Sequence, residues 1–212
     1  MTSALIIFVK YPEPGGVKTR LGSRIGMGQA AALYREFAER IFRMALGMAS
    51  DVAKVYVCFA PGPDPAAIRA WVGDDRCAYA EQKGESLGDR MRYAFQEAFS
   101  QGAMNAVLIG TDVPDIDASI VQRAFEGLQG HDAVLGPATD GGYYLLGMRA
   151  PGYEVFEGVP WSTPDVLPAT LRLLTLEKLS VDLLPRLSDI DTEEDYRLYL
   201  SRQSATGEKG RA

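Results

Sequence analysis

The stretch ALIIFVKYPEPGGVKTRL, residues 4–21, decides the fold class. Its first six residues, Ala4–Val9, are rich in Ile, Leu and Val, which predicts a strand buried on both faces of a sheet. A turn-rich loop follows, and Gly28–Met48 then places apolar residues at the spacing of a long amphipathic helix. A buried strand that turns into a helix begins a βαβ unit, so a mainly parallel sheet is expected.

The alternation of strand and helix patterns continues through most of the chain. Further strands are predicted at 55–59, 77–80, 106–109, 133–135 and 142–148, and further helices at 65–72, 87–100, 116–128, 163–174 and 192–201. After Pro137 the regular alternation of predicted strands and helices changes. We expect this second part to extend the same sheet and to form the acceptor side of the site. The prediction is one α/β domain over 1–203, with a flexible C-terminal tail at 204–212.

Composition excludes several classes of protein. A formal net charge of −6 argues against binding to nucleic acid or to an anionic membrane, because both rely on basic surfaces. One histidine, His131, and two cysteines leave no His/Cys zinc cluster and make a Ser-His-Asp mechanism improbable. The cysteine count also indicates a reducing compartment, and the short apolar start predicts neither a signal peptide nor a membrane span. We therefore expect a cytoplasmic protein whose metal, if any, has oxygen ligands.

The loop after the first strand carries the features of an anion site. Gly15 and Gly16 allow backbone amides to approach a phosphate, and Lys18 and Arg20 supply positive charge. The loop is not a P-loop, because Val17 stands where that motif needs glycine, and it lacks the Gly-x-Gly-x-x-Gly pattern. The alternative is a solvated turn with ordinary surface cations.

Two acidic segments predict ligands for Mg²⁺ or Mn²⁺. Asp112 lies in the Gly110-Thr111-Asp112 segment that ends the strand at 106–109, and Asp189 and Asp191 can lie on one face of an extended segment. Capping is the alternative for each segment: Asp112 would cap the helix predicted at 116–128 or its own turn, and Asp191 or Thr192 would cap the last helix. Asp189 is the acid that capping explains least.

The segment GPATDGGYY, residues 136–144, predicts a β-hairpin turn built on Asp140-Gly141. A ligand contact is a separate expectation: the glycines would admit a ligand close to the backbone, while Asp140 would bind hydroxyl groups or a cation.

Four motifs, in this order, resemble a known family. They are Lys-x-Pro-x-Pro-Gly-x-x-Lys-Thr-Arg-Leu, Gly-Thr-Asp-x-Pro, Gly-Pro-x-x-Asp-Gly-Gly-Tyr-Tyr and Asp-x-Asp-Thr-x-x-Asp. Together they resemble bacterial glycosyltransferase-like proteins of the radical-SAM/selenoprotein-associated transferase 1 type, over roughly residues 4–201. That family is similar to the GT-A nucleotide-diphospho-sugar transferase superfamily, which includes molybdenum-cofactor and 2-phospholactate guanylyltransferases. The resemblance implies a three-layer, Rossmann-like GT-A fold with a mixed, mainly parallel sheet.

The resemblance also implies roles for individual residues. The implied catalytic residues are Lys18, Arg20 and Asp112, and the implied metal ligands are Asp112, Asp189 and Asp191. The implied nucleotide-binding residues are Lys10, Gly15, Gly16, Lys18, Arg20, Gly84, Leu87, Gly88 and Arg90. The implied acceptor-binding residues are Asp140, Gly141, Gly142 and Tyr143. Pro114 stands where many GT-A glycosyltransferases have the second acid of Asp-x-Asp, which leaves glycosyl and nucleotidyl transfer both open.

The function expected from these features is a Mg²⁺- or Mn²⁺-dependent transfer from an NTP or a nucleotide-sugar to a small-molecule acceptor. The alternative is a nucleotide-binding or regulatory module without turnover. A Rossmann oxidoreductase is disfavoured, because the glycine fingerprint is absent. Neither nucleic acid nor a membrane is an expected partner, and a homodimer is compatible with the sequence.

Overall fold

The computed structural model describes residues 2–48, 53–150 and 154–209. The strands are β1 (Ser3–Val9), β2 (Ala53–Phe59), β3 (Ala78–Glu81), β4 (Asn105–Ile109), β5 (Ala133–Pro137), β6 (Tyr143–Met148) and β7 (Val181–Leu183). The helices are α1 (Thr19–Ile25), α2 (Met27–Met48), α3 (Pro65–Val72), α4 (Leu87–Ser100), α5 (Ala118–Gly130), α6 (Val166–Leu176) and α7 (Glu193–Lys209).

All seven strands belong to one mixed sheet in the order β3-β2-β1-β4-β6-β5-β7. Strand β6 is antiparallel to β4 and β5, and the other pairs are parallel. In register, Val9 of β1 pairs with Phe59 of β2, and Ile7 pairs with Ile109 of β4. The carboxyl ends of these central strands therefore lie at one edge, and the loops that follow them emerge together.

Helices cover both faces of the sheet because alternate strand residues point to opposite sides. Leu5, Ile7 and Val9 face a core that is completed by α2, α3 and α5. Ala4 and Ile6 face a second core, completed by α4 and α6. This three-layer arrangement confirms the fold class predicted from the sequence.

Two elements are absent from the sequence prediction. Helix α1 begins within the stretch predicted as a turn-rich loop, Tyr11–Gly22, and continues to Ile25; its seven residues are too few to show a helical period. Strand β7 has three residues, none of them fully buried, so it carries no hydrophobic signal. Helix α7 continues past residue 201 to Lys209, through part of the predicted tail. Residues 210–212 lie outside the described part, so the tail's flexibility and the domain limits stay predictions.

Candidate functional site

A cleft opens along the carboxyl edge of the sheet. Its volume is about 890 Å³, within the range of about 300–1,000 Å³ that small-molecule sites occupy. The loops after β1 and β4, the β5–β6 hairpin, the start of α4 and the segment before α7 contribute side chains to it. The cleft brings together many of the residues that the sequence predicts, namely Lys10, Lys18, Arg20, Leu87, Arg90, Asp112, Asp140, Gly142, Tyr143, Asp189 and Asp191.

Lys18 joins two of the predicted carboxylates. Its Nζ lies 2.6 Å from Oδ1 of Asp112 and 3.0 Å from Oδ1 of Asp191. The side chain of Lys18 is 2% exposed, whereas those of Asp112 and Asp191 are 55% and 43% exposed. One buried ammonium group therefore holds two acids that come from different segments and still face the cleft.

The pKa of Lys18 reflects this pairing. Burial alone would lower it, but the charges of Asp112 and Asp191, and their hydrogen bonds with the ammonium group, raise it above the ordinary lysine value. The ammonium group of Lys18 is therefore charged at neutral pH.

The backbone of Lys18 has φ +47°, a left-handed conformation that is uncommon for a residue with a side chain. Such strain is found where the surroundings hold a residue in place.

Helix capping does not explain Asp112. The N-cap of α5 is Asp117, whose Oδ1 accepts a hydrogen bond from the backbone N–H of Ile120 at 3.0 Å. Asp112 lies five residues earlier and is paired with Lys18 instead.

Capping does not explain Asp191 either. Thr192 Oγ1 accepts from the backbone N–H of Asp195 at 3.2 Å, and the Asp195 carboxylate accepts from Thr192 N at 2.8 Å. This reciprocal pair forms a capping box at the start of α7. The side chain of Asp191 takes no part in this capping box and accepts a hydrogen bond from Lys18 Nζ.

Asp189 lies in the same acidic group. Burial, followed by the nearby charges of Asp191 and Asp140, raises the pKa of Asp189 to about 6, and the charge of Lys18 opposes that rise. The negative charges of Asp191 and Asp140 thus act on Asp189 and disfavour its ionised form.

Oxygen ligands for a hard cation are present, but they do not form a closed cage. Among the described residues, no group of three or more His, Cys, Asp or Glu side chains is arranged to hold a metal ion. Asp112 and Asp191 present the right chemistry for Mg²⁺ or Mn²⁺, which in open sites take one or two carboxylates and fill the other positions with water and phosphate oxygens. The donor set therefore fits a divalent ion that arrives with a phosphate ligand.

The loop after β1 combines a glycine turn with exposed cations. The backbone N–H of Gly16 donates to Glu13 O at 2.9 Å, so it is committed to the turn. Gly15 has φ +81°, which by itself accounts for glycine at that position. Neither glycine lines the cleft, whereas Lys10 and Arg20 line it with exposed side chains. The exposed positive charge of this loop therefore comes from Lys10 and Arg20, whereas the side chain of Lys18 is buried.

Tyr34, a buried residue on α2, connects the loops after β1 and β4 through hydrogen bonds. Its hydroxyl accepts a hydrogen bond from the backbone N–H of Lys10 at 2.9 Å and lies 2.7 Å from Thr111 Oγ1. Burial, and then the charge of Asp112, raise the pKa of Tyr34, so the phenol stays neutral. The sequence prediction missed this residue, because Tyr34 occupies a core-facing position of an amphipathic helix and its hydroxyl leaves no separate signal.

The segment before α4 is ordered by its own contacts. Ser86 and Asp89 form a capping box, and the Nε of Arg90 donates to Gly84 O at 3.2 Å. Leu87 and Arg90 line the cleft, whereas Gly84 and Gly88 do not. A Cβ at Gly88 would lie 2.7 Å from the indole of Trp161, so the glycine makes room for that ring.

The β5–β6 hairpin confirms the predicted turn. Asp140 Oδ1 accepts from Gly142 N at 2.8 Å, and Gly141 has φ +94°. A Cβ at Gly141 would collide with the backbone of Pro164, so this glycine serves packing between the hairpin and the turn before α6. Asp140, Gly142 and Tyr143 face the cleft, and their acceptor role stays a prediction.

Trp161 is a cleft residue that the sequence prediction did not include. Its ring meets that of Tyr143 edge to face, with centroids 6.5 Å apart. The sequence does contain one indication of this residue. Trp161 lies in the irregular segment Pro160-Trp161-Ser162-Thr163, where neither a helical nor a strand pattern accounts for a large apolar side chain.

The chain matches a family model over residues 44–163; the family is described as an uncharacterized protein conserved in bacteria (DUF2064). No curated protein matches the chain significantly. A candidate nucleotide-diphospho-sugar transferase from Desulfovibrio desulfuricans G20 is 42% identical, with a TM-score of 0.83, over 91% of this chain and 84% of that one.

Two more distant structures share the fold. CMP:2-keto-3-deoxy-manno-octonic acid synthetase, in complex with CTP, gives a TM-score of 0.58 at 14% identity, over 96% of this chain and all of that one. Glucosyl-3-phosphoglycerate synthase from Mycobacterium tuberculosis, in complex with Mn²⁺, UDP and glucosyl-3-phosphoglycerate, gives 0.56 at 12% identity, over 95% of this chain and 76% of that one.

The likeness at 42% identity confirms the predicted resemblance and the class of enzyme, a nucleotide-diphospho-sugar transferase type. All three structures share the predicted GT-A type of fold. In the part of the chain that the structure describes, no helix is both long and apolar enough to cross a membrane.

Proposed function

The chain belongs to the DUF2064 family, and we propose that it is a metal-dependent transferase with an NTP or a nucleotide-sugar as donor and a small molecule as acceptor. One observation carries the proposal: Lys18 Nζ lies within 3.0 Å of carboxylates from two distant segments, in a cleft at the carboxyl edge of the sheet. In open α/β sheets, ligands bind at this edge.

The exposed side chains of Lys10 and Arg20 would bind the donor's phosphates. Arg20 can offer two parallel N–H bonds to a phosphate, and Lys10 acts as a point charge. Both lie on the loop that β1 feeds into α1, and Tyr34 fixes the backbone of Lys10. The implied contacts of Arg90 and Leu87 with the nucleotide are consistent with their place in the lining.

Asp112 and Asp191 would hold Mg²⁺ or Mn²⁺, with donor phosphate oxygens and water as the remaining ligands. When bound, the ion would offset the negative charge of the donor's leaving phosphate group. Lys18 keeps the two carboxylates in place and reduces their mutual repulsion. Asp189, the third implied ligand, lines the same cleft and would bind the ion directly or through water. The named ligands of the glucosyl-3-phosphoglycerate synthase structure, Mn²⁺ and UDP, support a divalent metal in this fold.

The arrangement calls for positioning and charge stabilisation more than for acid/base chemistry. In nucleotidyl transfer an acceptor phosphate attacks the α-phosphorus and pyrophosphate leaves. In glycosyl transfer the acceptor attacks the sugar carbon and a nucleoside diphosphate leaves. Lys10 and Arg20 would stabilise the charge that develops in either case.

A ligand screen tests the proposal. Purified protein is melted with each of the four NTPs and with UDP-glucose, GDP-mannose and related nucleotide-sugars, with and without Mg²⁺ or Mn²⁺. A ligand at about 100 times its Kd stabilises the folded state by about 2.7 kcal/mol, which raises the Tm of a chain of this size by about 5–11 °C. If no nucleotide raises the Tm in the presence of either metal, the proposal is wrong.

Turnover separates an enzyme from the alternative, a nucleotide-binding module. Release of pyrophosphate from a bound NTP, or of a nucleoside diphosphate from a bound nucleotide-sugar, on addition of a candidate acceptor identifies the reaction. Tight binding without release across a broad acceptor panel would favour the regulatory module.

A further inference from the structure

Two loops of the cleft are joined by a continuous chain of hydrogen bonds through buried side chains. The backbone N–H of Lys10, in the loop after β1, donates to the hydroxyl of Tyr34 at 2.9 Å, and that hydroxyl lies 2.7 Å from Thr111 Oγ1. Thr111 Oγ1 in turn donates to the carbonyl oxygen of Phe8, within β1, at 3.5 Å. The chain therefore begins and ends on the segment that carries Lys10, and it passes through the loop after β4.

The donors and acceptors of this chain fit only one complete arrangement. A backbone N–H can only donate, so the Tyr34 oxygen accepts from Lys10. If Tyr34 donates its own proton to Thr111, the Thr111 hydroxyl keeps its proton for Phe8 O, and each group has a partner. The reverse direction would break the contact with Phe8. Tyr34 and Thr111 are 2% and 1% exposed, so the complete arrangement is favoured over one that needs water.

The same chain reaches the acids of the site through the backbone. Asp112 directly follows Thr111, and its carbonyl oxygen accepts from the backbone N–H of Ile190 at 3.4 Å. Ile190 lies between Asp189 and Asp191. A displacement of Thr111 would therefore reach Asp112 through one peptide bond and the acidic segment through one further hydrogen bond.

One face of α2 supports all of these segments. Tyr34 lies four residues after Ala30 and three residues before Phe37, a spacing that places the three side chains on one side of the helix. Ala30 and Phe37 belong to the apolar cluster that also contains Ile190 and Leu21. A single 22-residue helix thus contacts the loop after β1, the loop after β4 and the segment before α7.

Packing alone does not call for a hydroxyl at position 34. The side chain of Tyr34 belongs to a core that is otherwise built largely from aliphatic and aromatic residues, and a buried hydroxyl is costly there unless it is bonded. A fully bonded polar network specifies one arrangement of the segments that it joins, because any other arrangement leaves its groups unpaired. Such precision matters at a reaction centre, where a displacement of about 1 Å can cost about 100-fold in rate.

We propose that Tyr34 and Thr111 are positioning residues, which hold Lys10 and Asp112 at the separation that a metal-bound phosphate group requires. This inference rests on the proposed function, in which Lys10 binds the donor's phosphates and Asp112 binds the divalent ion. Tyr34 acts through the backbone of Lys10, and Thr111 acts through its peptide bond with Asp112. The metal side and the phosphate side of the site are therefore set by one polar network.

Calorimetry with inorganic tripolyphosphate and Mg²⁺ tests the link between Tyr34 and Lys10, because this probe carries phosphates without a base or a sugar. Lys10→Met and Tyr34→Phe should each lower the affinity about tenfold, as expected for a lost or misplaced charged contact. The double variant should also lose about tenfold, because Tyr34 acts through Lys10, whereas independent effects would multiply to about 100-fold. Tyr79→Phe is the control: it removes a hydroxyl that donates to Asp74 O away from the cleft, and it should leave the affinity unchanged.

Electron paramagnetic resonance of free Mn²⁺ tests the link between Thr111 and Asp112. Thr111→Val keeps the shape of the side chain without its hydroxyl and should lower the Mn²⁺ affinity about tenfold, the effect expected when a residue that orients a metal ligand is lost. Thr111→Ser retains a hydroxyl and should stay within about twofold of wild type. Thermal melts establish that each variant is folded at the temperature of the assay, so that a lost affinity is not a lost fold.

The outcomes separate the positioning role from the proposed function. If Tyr34→Phe and Thr111→Val lower the melting temperature but keep wild-type affinities, the hydroxyls only stabilise the fold and the positioning role is wrong, while the proposed function stands. A loss of about 100-fold in the double variant, or equal losses in Thr111→Ser and Thr111→Val, would also overturn the positioning role. If the wild type binds neither Mn²⁺ nor tripolyphosphate, the positioning role is wrong whatever the nucleotide screen shows, and if that screen also fails, the proposed function is wrong as well.

Discussion

The substitution Lys18→Met tests whether the buried ammonium group holds the acidic pair together. Methionine fills much of the same volume with an apolar chain, so the change removes the charge with little loss of packing. Lys10→Met is the matched control, because Lys10 lines the same cleft with an exposed side chain and makes no ion pair with the described residues.

The expected loss of stability follows from the exposure of the three groups. Exposed ion pairs contribute about 0–1 kcal/mol, whereas removal of one partner from a fully buried pair costs about 3–5 kcal/mol. Lys18 is buried, but Asp112 and Asp191 are about half exposed and keep part of their hydration. The cost should therefore be about 2 kcal/mol, which lowers the Tm by about 4–8 °C in a domain of this size.

The pH dependence has a definite sign. Because the pKa of Lys18 is raised in the folded protein, its contribution is fully present below the ordinary value of 10.5 and is lost only as the pH rises through the raised pKa. The difference in Tm between wild type and Lys18→Met should thus be large at neutral pH and should shrink above about pH 10.5.

Mn²⁺ should reverse part of the loss. In Lys18→Met the carboxylates of Asp112 and Asp191 lack their shared cation, so Mn²⁺ alone should raise the Tm of this variant more than that of wild type or of Lys10→Met. Differential scanning fluorimetry with and without Mn²⁺ measures both effects. If Lys18→Met melts within a degree or so of Lys10→Met, or if Mn²⁺ shifts all three proteins equally, the pairing does not have the role assigned here.

Four further substitutions separate effects on ligand binding from effects on stability. Asp112→Asn should abolish metal-dependent nucleotide stabilisation in thermal melts, whereas Asp117→Ala, which removes the α5 cap, should cost about 1 kcal/mol of unfolding free energy and keep the metal response; the same response in both would remove Asp112 from the metal site. Arg20→Ala should weaken nucleotide binding by about 1.5–3 kcal/mol in calorimetry with an unchanged ligand-free Tm, since the side chain is exposed; equal affinities would make the loop an ordinary turn. Tyr34→Phe should cost about 1–3 kcal/mol in urea denaturation, because the backbone N–H of Lys10 loses its buried acceptor, and a cost near zero would mean that water replaces the hydroxyl.

The fold was predictable because its signals are local. The buried strand at 4–9, the amphipathic helix at 28–48 and the Asp140-Gly141 turn each follow from a few neighbouring residues. Helices α3 and α4 have the predicted bounds, since a Pro at the first helical position and a Ser/Asp capping box mark their starts. Elements without such signals, α1 and β7, were missed.

The sequence identified the charged residues of the site but not the contacts between them. Lys18 and Asp191 are separated by 173 positions, and nothing in either local pattern shows that one bonds to the other. The sequence suggested that Lys18 faces a phosphate. In the structure the side chain of Lys18 is buried and paired with Asp112 and Asp191, and Lys10 and Arg20 are the exposed cations of the loop. Pairings of this kind depend on how distant loops meet, which periodicity cannot show.

The antiparallel direction of β6 explains why the β5–β6 hairpin lies at the carboxyl edge of the sheet. In a parallel strand the last residue lies at the carboxyl edge, as Ile109 does in β4. Because β6 runs the other way, its beginning lies there: Leu145 pairs with Ile109, and Tyr143 and the Asp140 turn lie just beyond. One reversed strand thus brings the hairpin, and through Gly141 and Pro164 the turn that carries Trp161, to the edge where the phosphate-side loops end. A fully parallel sheet with the same strand order would place the start of β6 and its preceding turn at the opposite edge, away from Lys18 and Asp112.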